Sequence, residues 1–147
     1  MWLYKNKKIE SLKDMPCGTY GFIYEVHHMP SGRKYIGKKQ LVFVRKKQLG
    51  KKAIEALTDK RARKYEIIEK ESDWKTYYGS HKDIIKLIKE GKQEEFTREI
   101  LQFVPDKKQL TYFECKYLFI KEVLEQPDNY INDNILGKFY RKDFYND

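Results

Sequence analysis

The stretch YGFIYEVHHMPSGRKYIGKK, residues 20–39, decides the fold because it contains two strand-like segments on either side of a turn. Aromatic and β-branched residues alternate with others over residues 21–26, which is the period of a β-strand. The turn is Met-Pro-Ser-Gly at residues 29–32, where proline fixes φ and glycine accepts a left-handed conformation. A second strand follows the turn. The predicted hairpin places Tyr24 and Tyr35 on neighbouring strands, where two phenol rings can lie close together.

The two strands of this hairpin resemble the signature of the GIY-YIG nuclease family. The first half reads Gly21-Phe22-Ile23-Tyr24, a variant with one residue inserted before the Ile-Tyr pair, and the second half is intact as Tyr35-Ile36-Gly37. The ten residues between the two halves have the length that the family uses. The resemblance covers roughly residues 20–134. The competing interpretation is an ordinary hairpin whose tyrosines only pack.

The composition indicates a folded protein with an anionic partner. The chain has 147 residues, of which 40% are hydrophobic and 15% aromatic, which is enough for one domain with a real core. Charged residues make up 36%, and the formal net charge is +9. This excess favours nucleic acid, since neutralising phosphates releases counterions and supplies most non-specific affinity. A basic protein without such a partner is the alternative that composition alone leaves open.

The cysteines and the hydropathy predict a protein of a reducing compartment. Cys17 and Cys115 are far apart and have no metal-binding spacing, so a disulfide framework is not expected. No apolar run approaches the length of a membrane span, and residues 1–16 are too charged for a secretory signal. These features favour a cytosolic location, and the resemblance implies the cytoplasm of a bacterium or of a phage-infected host.

The chain is predicted to form a single domain, residues 1–147, with its core at about residues 18–135. An N-terminal arm (1–17), a basic insertion (about 40–74) and a C-terminal tail (136–147) complete it. A short edge strand and a loosely held segment are both open interpretations of the arm. The insertion is predicted to form a second, longer hairpin. Its cations, interleaved with aromatic residues, suit a phosphate backbone, although a solvated charged face is the alternative. The residues predicted to bind DNA are Lys34, Lys38, Lys46, Lys47, Arg61 and Arg63.

Three further elements complete the predicted α/β (α+β) fold, a three-stranded, mainly antiparallel sheet flanked by helices. Ser80 is predicted to be the N-cap of a helix over residues 81–90, which has an apolar stripe at helical spacing. Residues 96–104 alternate as a strand. Residues 107–125 carry the most regular apolar stripe of the chain and predict its longest helix.

Glu114 lies inside the apolar stripe of the helix predicted at residues 107–125. A carboxylate on an inward face is costly unless it is paired or binds a metal ion. Lys121 lies near the same stripe and is the alternative partner. The position also matches the glutamate that the GIY-YIG family carries on a late helix. The resemblance therefore implies that Glu114 holds a single Mg²⁺ or Mn²⁺ ion, mostly through water.

The resemblance also implies catalytic roles for residues of the hairpin. Of Tyr24 and Tyr35, one would accept or relay the proton of the attacking water, and the other would fix the water or a phosphate oxygen. A phenol ordinarily titrates near pH 10, so a basic role needs nearby cations. The predicted cations are Lys34, Lys38 and Lys39. Lys39 is also predicted to be a catalytic residue.

Further positions match the family outside the hairpin. Arg45 stands at the interval of the family's arginine, whose planar fork suits a phosphate oxygen; a plain surface cation is the alternative. Asn132 resembles the late asparagine that helps to order the active site, and Asn134 competes for that match. The family's histidine is absent from its usual position, and His81 and Tyr78 are the candidates to replace it.

Together, these features predict a divalent-metal-dependent DNA endonuclease that leaves 5′-phosphate and 3′-hydroxyl ends, as the resembled family does. A nuclease of this size suggests a phage, mobile-element or restriction-type enzyme, and a homodimer is one route to sequence specificity. No membrane partner is expected. Two rival hypotheses are a non-catalytic nucleic-acid-binding protein that keeps the fold, and a basic interaction or inhibitor protein.

Overall fold

The computed structural model describes residues 1–59 and 61–145. The chain divides into two compact units, described in turn: the first comprises Met1–Leu41 and Asp73–Asp147, and the second comprises Val42–Ser72. In chain order the strands are β1 (Trp2–Tyr4), β2 (Lys7–Ile9), β3 (Gly21–His28), β4 (Arg33–Gln40), β5 (Val42–Gln48), β6 (Tyr65–Glu71), β7 (Phe96–Val104), β8 (Asn134–Ile135) and β9 (Phe139–Tyr140). The α-helices are α1 (Lys51–Glu55), α2 (Lys82–Lys89), α3 (Lys107–Ile120) and α4 (Arg141–Phe144). Single 3₁₀ turns cover Leu12–Asp14, Trp74–Thr76 and Gln93–Glu95.

The first unit is built on a five-stranded sheet with the strand order β2-β1-β7-β3-β4. Neighbouring strands are antiparallel except β1 and β7, which are parallel. The mixed α/β class and the mainly antiparallel pairing agree with the sequence. The predicted count of three strands is too small, because it corresponds to β3, β4 and β7 alone.

The two additional strands come from the segment predicted as an N-terminal arm. Trp2 holds them in place: its side chain is 1% exposed, and its indole N–H donates a 2.6 Å hydrogen bond to the carbonyl of Trp74. The Trp2 ring also packs edge-on against Phe22 and Tyr24, with centroid distances of 5.0 and 5.4 Å. Burying a large aromatic side chain stabilises the fold by roughly 2–3 kcal/mol. That contribution fixes a strand that is too short to show a period in the sequence.

Helix α3 covers one face of the sheet and closes the main hydrophobic core. Ile23 and Ile36, which alternate with the signature tyrosines along β3 and β4, share one buried cluster with Leu110 and Leu118 of the helix. The cluster is completed by Val104, Val123, Leu124, Tyr130 and Ile135. Since successive side chains of a strand point to opposite faces, the signature tyrosines lie on the other face of the sheet.

Helix α2 begins one residue later than predicted, at Lys82. Its N-cap is His81 and not Ser80, because the Nδ1 atom of His81 accepts a 3.1 Å hydrogen bond from the backbone N–H of Asp83. The hydroxyl of Ser80 is engaged with Tyr35 instead. The capping position is therefore set by a tertiary contact that the local sequence does not reveal.

Helix α3 ends at Ile120, five residues before its predicted end. Glu122 adopts a left-handed φ of 53°. The N–H groups of Glu122 and Val123 donate back to the carbonyls of Phe119 and Leu118, at 3.1 and 3.3 Å respectively. This is the Schellman arrangement that closes helix ends. It turns the chain so that the next apolar residues enter the core.

The C-terminal part of the first unit covers the outer edge of β4. The backbone N–H of Lys34 donates to the carbonyl of Asn129 at 2.8 Å, and that of Ile131 donates to the carbonyl of Lys34 at 2.7 Å. Asn132 then bonds the backbone of Ile36 through its side chain. The outermost strand of the sheet is thus paired along its outer edge over these residues.

Arg141 fixes the tail against this segment. Its guanidinium donates to the carbonyls of Leu124, Val123 and Asn132, at 2.7, 2.8 and 2.7 Å respectively. The short strands β8 and β9 pair with each other on either side of Gly137. The segment predicted as a tail is therefore tied to the turn that follows α3.

The second unit is a two-stranded antiparallel ribbon formed by β5 and β6. The strands pair over seven positions, from Val42 opposite Glu71 to Gln48 opposite Tyr65, and α1 lies in the connection. The unit falls within the range that was predicted as the basic insertion. In the described parts of both units, no helix is long and apolar enough to cross a membrane.

Candidate active site

The register of the β3–β4 hairpin brings the two signature tyrosines onto one face of the sheet. Tyr24 stands opposite Gly37, and Val26 stands opposite Tyr35. Opposed residues of an antiparallel pair share a face, so Tyr24 and Tyr35 are diagonal neighbours. Their ring centroids lie 6.4 Å apart. The structure therefore contains the adjacent phenols that the sequence predicts.

Each of the two rings lies against a glycine. A Cβ at Gly37 would stand 2.7 Å from Cζ of Tyr24, and one at Gly79 would stand 3.2 Å from Cδ1 of Tyr35. Gly79 also has a φ of +125°, which residues with a side chain rarely adopt. The glycine of the Tyr-Ile-Gly half is thus required by the ring that crosses it.

Tyr24 is an interior residue. Its side chain is 1% exposed, and its ring meets that of Tyr77 edge-on at a centroid distance of 5.8 Å. Burial raises the pKa of the Tyr24 phenol well above its ordinary value, and the neighbouring Tyr77 and Tyr35 raise it further. The phenol is therefore protonated at neutral pH, which does not suit a proton acceptor.

Tyr35 lines a pocket of about 440 Å³ at the outer edge of β4. Its hydroxyl oxygen lies 2.9 Å from Oγ of Ser80. Burial raises the pKa of the Tyr35 phenol, and the hydrogen bond with Ser80 opposes part of that increase. This phenol is also protonated at neutral pH. The pocket is lined in addition by Ile36, Ser80, His81, Lys82, Glu114, Leu118, Asn132, Asp133, Asn134 and Leu136.

Two of the three lysines predicted to act on the tyrosines have other partners. Lys34 lies 3.6 Å from the carboxylate of Glu25, and Nζ of Lys38 donates a 3.1 Å hydrogen bond to the hydroxyl of Thr111. Burial dominates and raises the pKa of both phenols, which is the opposite direction from the one that the predicted cations would give.

Lys39 acts on a different tyrosine. Its Nζ lies 2.6 Å from the carboxylate of Asp73 and 3.9 Å from the ring centroid of Tyr77, in a cation–π contact. The ion pair holds the pKa of the Asp73 carboxyl below its usual range. Since Tyr77 packs on Tyr24, Lys39 reaches the tyrosine pair through Tyr77, and its predicted catalytic role stays a prediction.

Glu114 enters the pocket of Tyr35 from the middle of α3. Burial raises the pKa of its carboxyl group, while the charge of Lys38 and a hydrogen bond from the Lys38 backbone oppose the increase. Lys121, the alternative partner, is the exposed C-cap of α3, and within the described residues it forms no ion pair with Glu114. Tyr35 and Glu114 thus share one pocket although they are far apart in the sequence.

Asn132 is buried, with 4% of its surface exposed, and it orders the strand that carries Tyr35. Its side-chain oxygen accepts a 3.0 Å hydrogen bond from the N–H of Ile36, and its Nδ2 donates a 2.8 Å bond to the carbonyl of the same residue. Asn134, the competing candidate, bonds Asp133 and the backbone of Gly137 instead. The geometry therefore favours Asn132 as the ordering residue.

The outward-facing backbone groups of β4 explain why these side chains converge. Lys34 is paired with the segment that contains Ile131, Ile36 is bonded by the Asn132 side chain, and the backbone of Lys38 bonds Glu114. Buried backbone groups at a sheet edge need such partners. The same requirement therefore places both the amide and the carboxylate beside Tyr35.

His81 also lines the pocket, and its ring centroid lies 6.0 Å from that of Tyr35. Because Nδ1 accepts the capping hydrogen bond from Asp83, the proton of the neutral imidazole is on Nε2. Nε2 lies 3.9 Å from the carboxylate of Asp133, another pocket residue. The tautomer therefore makes this nitrogen a hydrogen-bond donor.

Tyr78, the second candidate for the missing histidine, lies elsewhere. Its ring packs on the guanidinium of Arg98 at 4.2 Å and against Phe96 at 6.0 Å. The preceding residue, Tyr77, is the one that contacts Tyr24. Sequence reasoning missed Tyr77, because nothing in the aromatic run 77–78 indicates which ring turns inward.

Several predicted site residues belong to the second unit. Arg45, Lys46 and Lys47 are exposed residues of β5, and Arg61 and Arg63 lie in the connection to β6. The role of Arg45 at a phosphate oxygen stays a prediction. Of the two histidines in β3, His28 bonds the hydroxyl of Ser31 through Nδ1 at 2.8 Å.

A metal ion would have few protein ligands in this pocket. Among the described residues, no group of three or more His, Cys, Asp or Glu side chains could hold one. Two carboxylates line the pocket, those of Glu114 and Asp133. The side-chain oxygen of Asn132 is already engaged by the N–H of Ile36. Mg²⁺ commonly binds through one or two carboxylates and keeps several waters, so this donor set fits a water-rich ion but not a cage.

Comparison with known proteins gives one result. The model of the family described as "Putative endonuclease segE, GIY-YIG domain" matches residues 2–135. A comparison with curated proteins found no match, and neither did a comparison with solved structures. The matched range extends from β1 to β8 and includes both tyrosines, Glu114 and Asn132.

Proposed function

The chain belongs to the GIY-YIG endonuclease family, and on this basis we propose that it hydrolyses phosphodiester bonds of DNA with one divalent cation, leaving a 5′-phosphate and a 3′-hydroxyl. The main support for the proposal is that Tyr35, His81 and Glu114 line the same pocket. The net charge of +9 supports a polyanionic substrate.

Hydrolysis requires water to attack phosphorus and to lose a proton, and the departing 3′-oxygen to gain one. Solvent water is proposed to take up the first proton and to supply the second. A divalent cation held by Glu114 would neutralise charge on the phosphate and lower the pKa of water. The raised pKa of Tyr35 keeps its hydroxyl protonated, and Ser80 holds that hydroxyl in place. Tyr35 is therefore proposed to donate a hydrogen bond that orients the water or a phosphate oxygen, and not to remove a proton.

His81 is proposed to donate a hydrogen bond to an oxygen of the phosphate or to the leaving oxygen, and to keep its proton. Its Nε2 carries the proton because Nδ1 is occupied by the helix cap, and Nε2 points towards the pocket carboxylate of Asp133. Loss of one positioned hydrogen-bond donor to developing charge typically costs about 10²–10³-fold in rate. Arg45, in the second unit, is separately proposed to contact a phosphate oxygen of the DNA, since its planar guanidinium suits that role.

The test is cleavage of supercoiled plasmid by the full chain, with Mg²⁺ or Mn²⁺ and with a chelator. Glu114→Gln keeps the shape of the side chain but removes its charge, and we expect its rate to fall on the order of 10²-fold or more. Glu94→Gln is the matched control, since Glu94 is exposed in a 3₁₀ turn, and it should cut as the wild type does.

The ends of the products are mapped by ligation and by phosphatase treatment. Nicks that a ligase reseals without further treatment would support the 5′-phosphate and 3′-hydroxyl assignment. Equal cleavage by wild type and Glu114→Gln, or no cleavage by the wild type with either ion, would overturn the proposal.

A further inference from the structure

The second unit has features of a nucleic-acid contact that the pocket does not account for. We call β5, β6 and the connecting residues 49–64 the charged ribbon. Every strand residue of the ribbon except Val42, Tyr65 and Ile68 is exposed. Two-stranded hairpins are marginally stable in water and usually need a further surface.

The charge of the ribbon is concentrated at one end. The turn end, residues 45–68, contains nine lysines and arginines but three carboxylates, while the other end, residues 42–44 and 69–72, contains two glutamates and one lysine. Because the chain enters the unit at Val42 and leaves it at Ser72, the positive end is the one that carries the turn. A solvated surface needs no such separation, whereas contact with a polyanion does benefit from it.

The cations of this end are present on both faces of the ribbon. Lys46 and Arg63 lie on the ring of Tyr65, with Nζ and Cζ at 4.7 and 5.6 Å from its centroid. Arg45 and Lys47 flank Lys46 in β5 and therefore point to the opposite face. A ribbon inside a groove has a phosphate backbone on either side, and this distribution of charge is suited to both.

We infer that the charged ribbon enters the major groove of duplex DNA and supplies binding affinity through phosphate contacts, while the pocket supplies the chemistry. This role rests on the proposed function, since both need DNA as the substrate. The major groove of B-DNA is about 12 Å wide and accepts a two-stranded ribbon. The major groove of duplex RNA is deep and narrow and excludes one. The expected partner is therefore B-form duplex DNA.

The test measures binding and not cleavage. Fluorescence anisotropy of a labelled 25-base-pair duplex is recorded with the full chain in a chelator, at several salt concentrations. The ribbon variant is Lys46→Gln/Arg63→Gln. The matched control is Lys7→Gln/Lys8→Gln, which removes the same charge from exposed positions of β2, at the opposite edge of the sheet from β4.

Each phosphate contact contributes about 0.9 to the slope of log affinity against log salt. The ribbon variant should therefore lower the magnitude of the slope by roughly 1–2, and its affinity in 0.1 M salt should fall by about tenfold per lost contact. The control should change neither quantity by a comparable amount. Duplex RNA and single-stranded DNA of the same sequence should bind more weakly than duplex DNA, and the ribbon variant should affect them less.

Equal slopes for the two variants would overturn the inference, as would equal or tighter binding of duplex RNA or single-stranded DNA by the wild type. These outcomes are separable from those of the proposed function. A protein that binds duplex DNA through the ribbon but cuts nothing refutes the nuclease alone. A protein that cuts DNA with no dependence on the ribbon cations refutes the ribbon alone.

Discussion

A methyl group added at Gly37 should disturb the tyrosine pair more than any other change of that size in the hairpin. Its Cβ would lie 2.7 Å from Cζ of Tyr24, where ordinary contacts are 3.4–4 Å, so the ring must move by roughly 1 Å. The ring has little room to move, because it is 1% exposed and enclosed by the rings of Trp2, Tyr35 and Tyr77 at centroid distances of 5.4, 6.4 and 5.8 Å.

Overpacking of this kind typically costs about 1–3 kcal/mol, and the rigid neighbours place Gly37→Ala at the upper end of that range. For a chain of 147 residues this corresponds to a decrease in Tm of roughly 5–10 °C. The assay is urea and thermal unfolding followed by circular dichroism, together with plasmid cleavage. Cleavage should fall as well, since Tyr35 packs on the displaced ring.

The matched control is Gly50→Ala, which makes the same chemical change where no atom lies within 4 Å of the new methyl group and φ is −66°. It should leave Tm within about 1–2 °C of the wild type. A second check is Gly37→Ala in a Tyr24→Ala background, where the added methyl meets no ring and should cost little. A Gly37→Ala protein as stable as Gly50→Ala, or an equal cost in both backgrounds, would refute the reasoning.

Three other substitutions test the pocket. Asn132→Ala leaves the buried N–H and carbonyl of Ile36 without partners, so the free energy of unfolding should fall by about 2–5 kcal/mol. Asn134→Ala should lower it by less than about 1 kcal/mol. Equal values for the two variants in urea unfolding would contradict this account. His81→Asn keeps a good N-cap but removes the Nε2 proton, so it should lose cleavage while its stability stays near that of the wild type. His81→Ala should lose cleavage and stability. A His81→Asn protein that still cuts DNA would remove the histidine from the mechanism. Because burial raises the folded-state pKa of Glu114, the wild type loses stability as pH rises through that pKa. Glu114→Gln should therefore have the higher Tm at pH 7, with the difference vanishing below the ordinary carboxyl pKa of about 4.3; a lower Tm at pH 7 would show that the charged form is favoured.

The central hairpin and strand β7 are predictable from the sequence because their signals are local. Alternation and a Pro-Ser-Gly turn define β3 and β4, and a nine-residue alternation defines β7. Strand β1 has three residues and is held by the burial of Trp2 against distant rings, so no local period reports it. Its pairing with β7 could be predicted only with knowledge of the tertiary core.

The end of α3 and the surroundings of the tyrosines differ from the sequence-based expectation for a related reason. Schellman turns usually place glycine in the left-handed position, but here Glu122 occupies it, so the sequence shows no stop signal. The lysines near Tyr35 suggested a cationic field, yet each has a nearer partner, and the desolvation of the phenol is invisible in a linear pattern. Neighbouring residues in sequence were a poor guide to neighbouring charges in space.

The paired edge of β4 has a consequence for the integrity of the chain. An uncovered outermost strand offers a row of donors and acceptors to which another polypeptide can add, and this is a common route to insoluble aggregates. Residues 129–132 occupy that row, and Arg141 clamps them in place. A molecule clipped by a protease before residue 129 would therefore lose the support of Tyr35 and gain a surface prone to self-association in a single event.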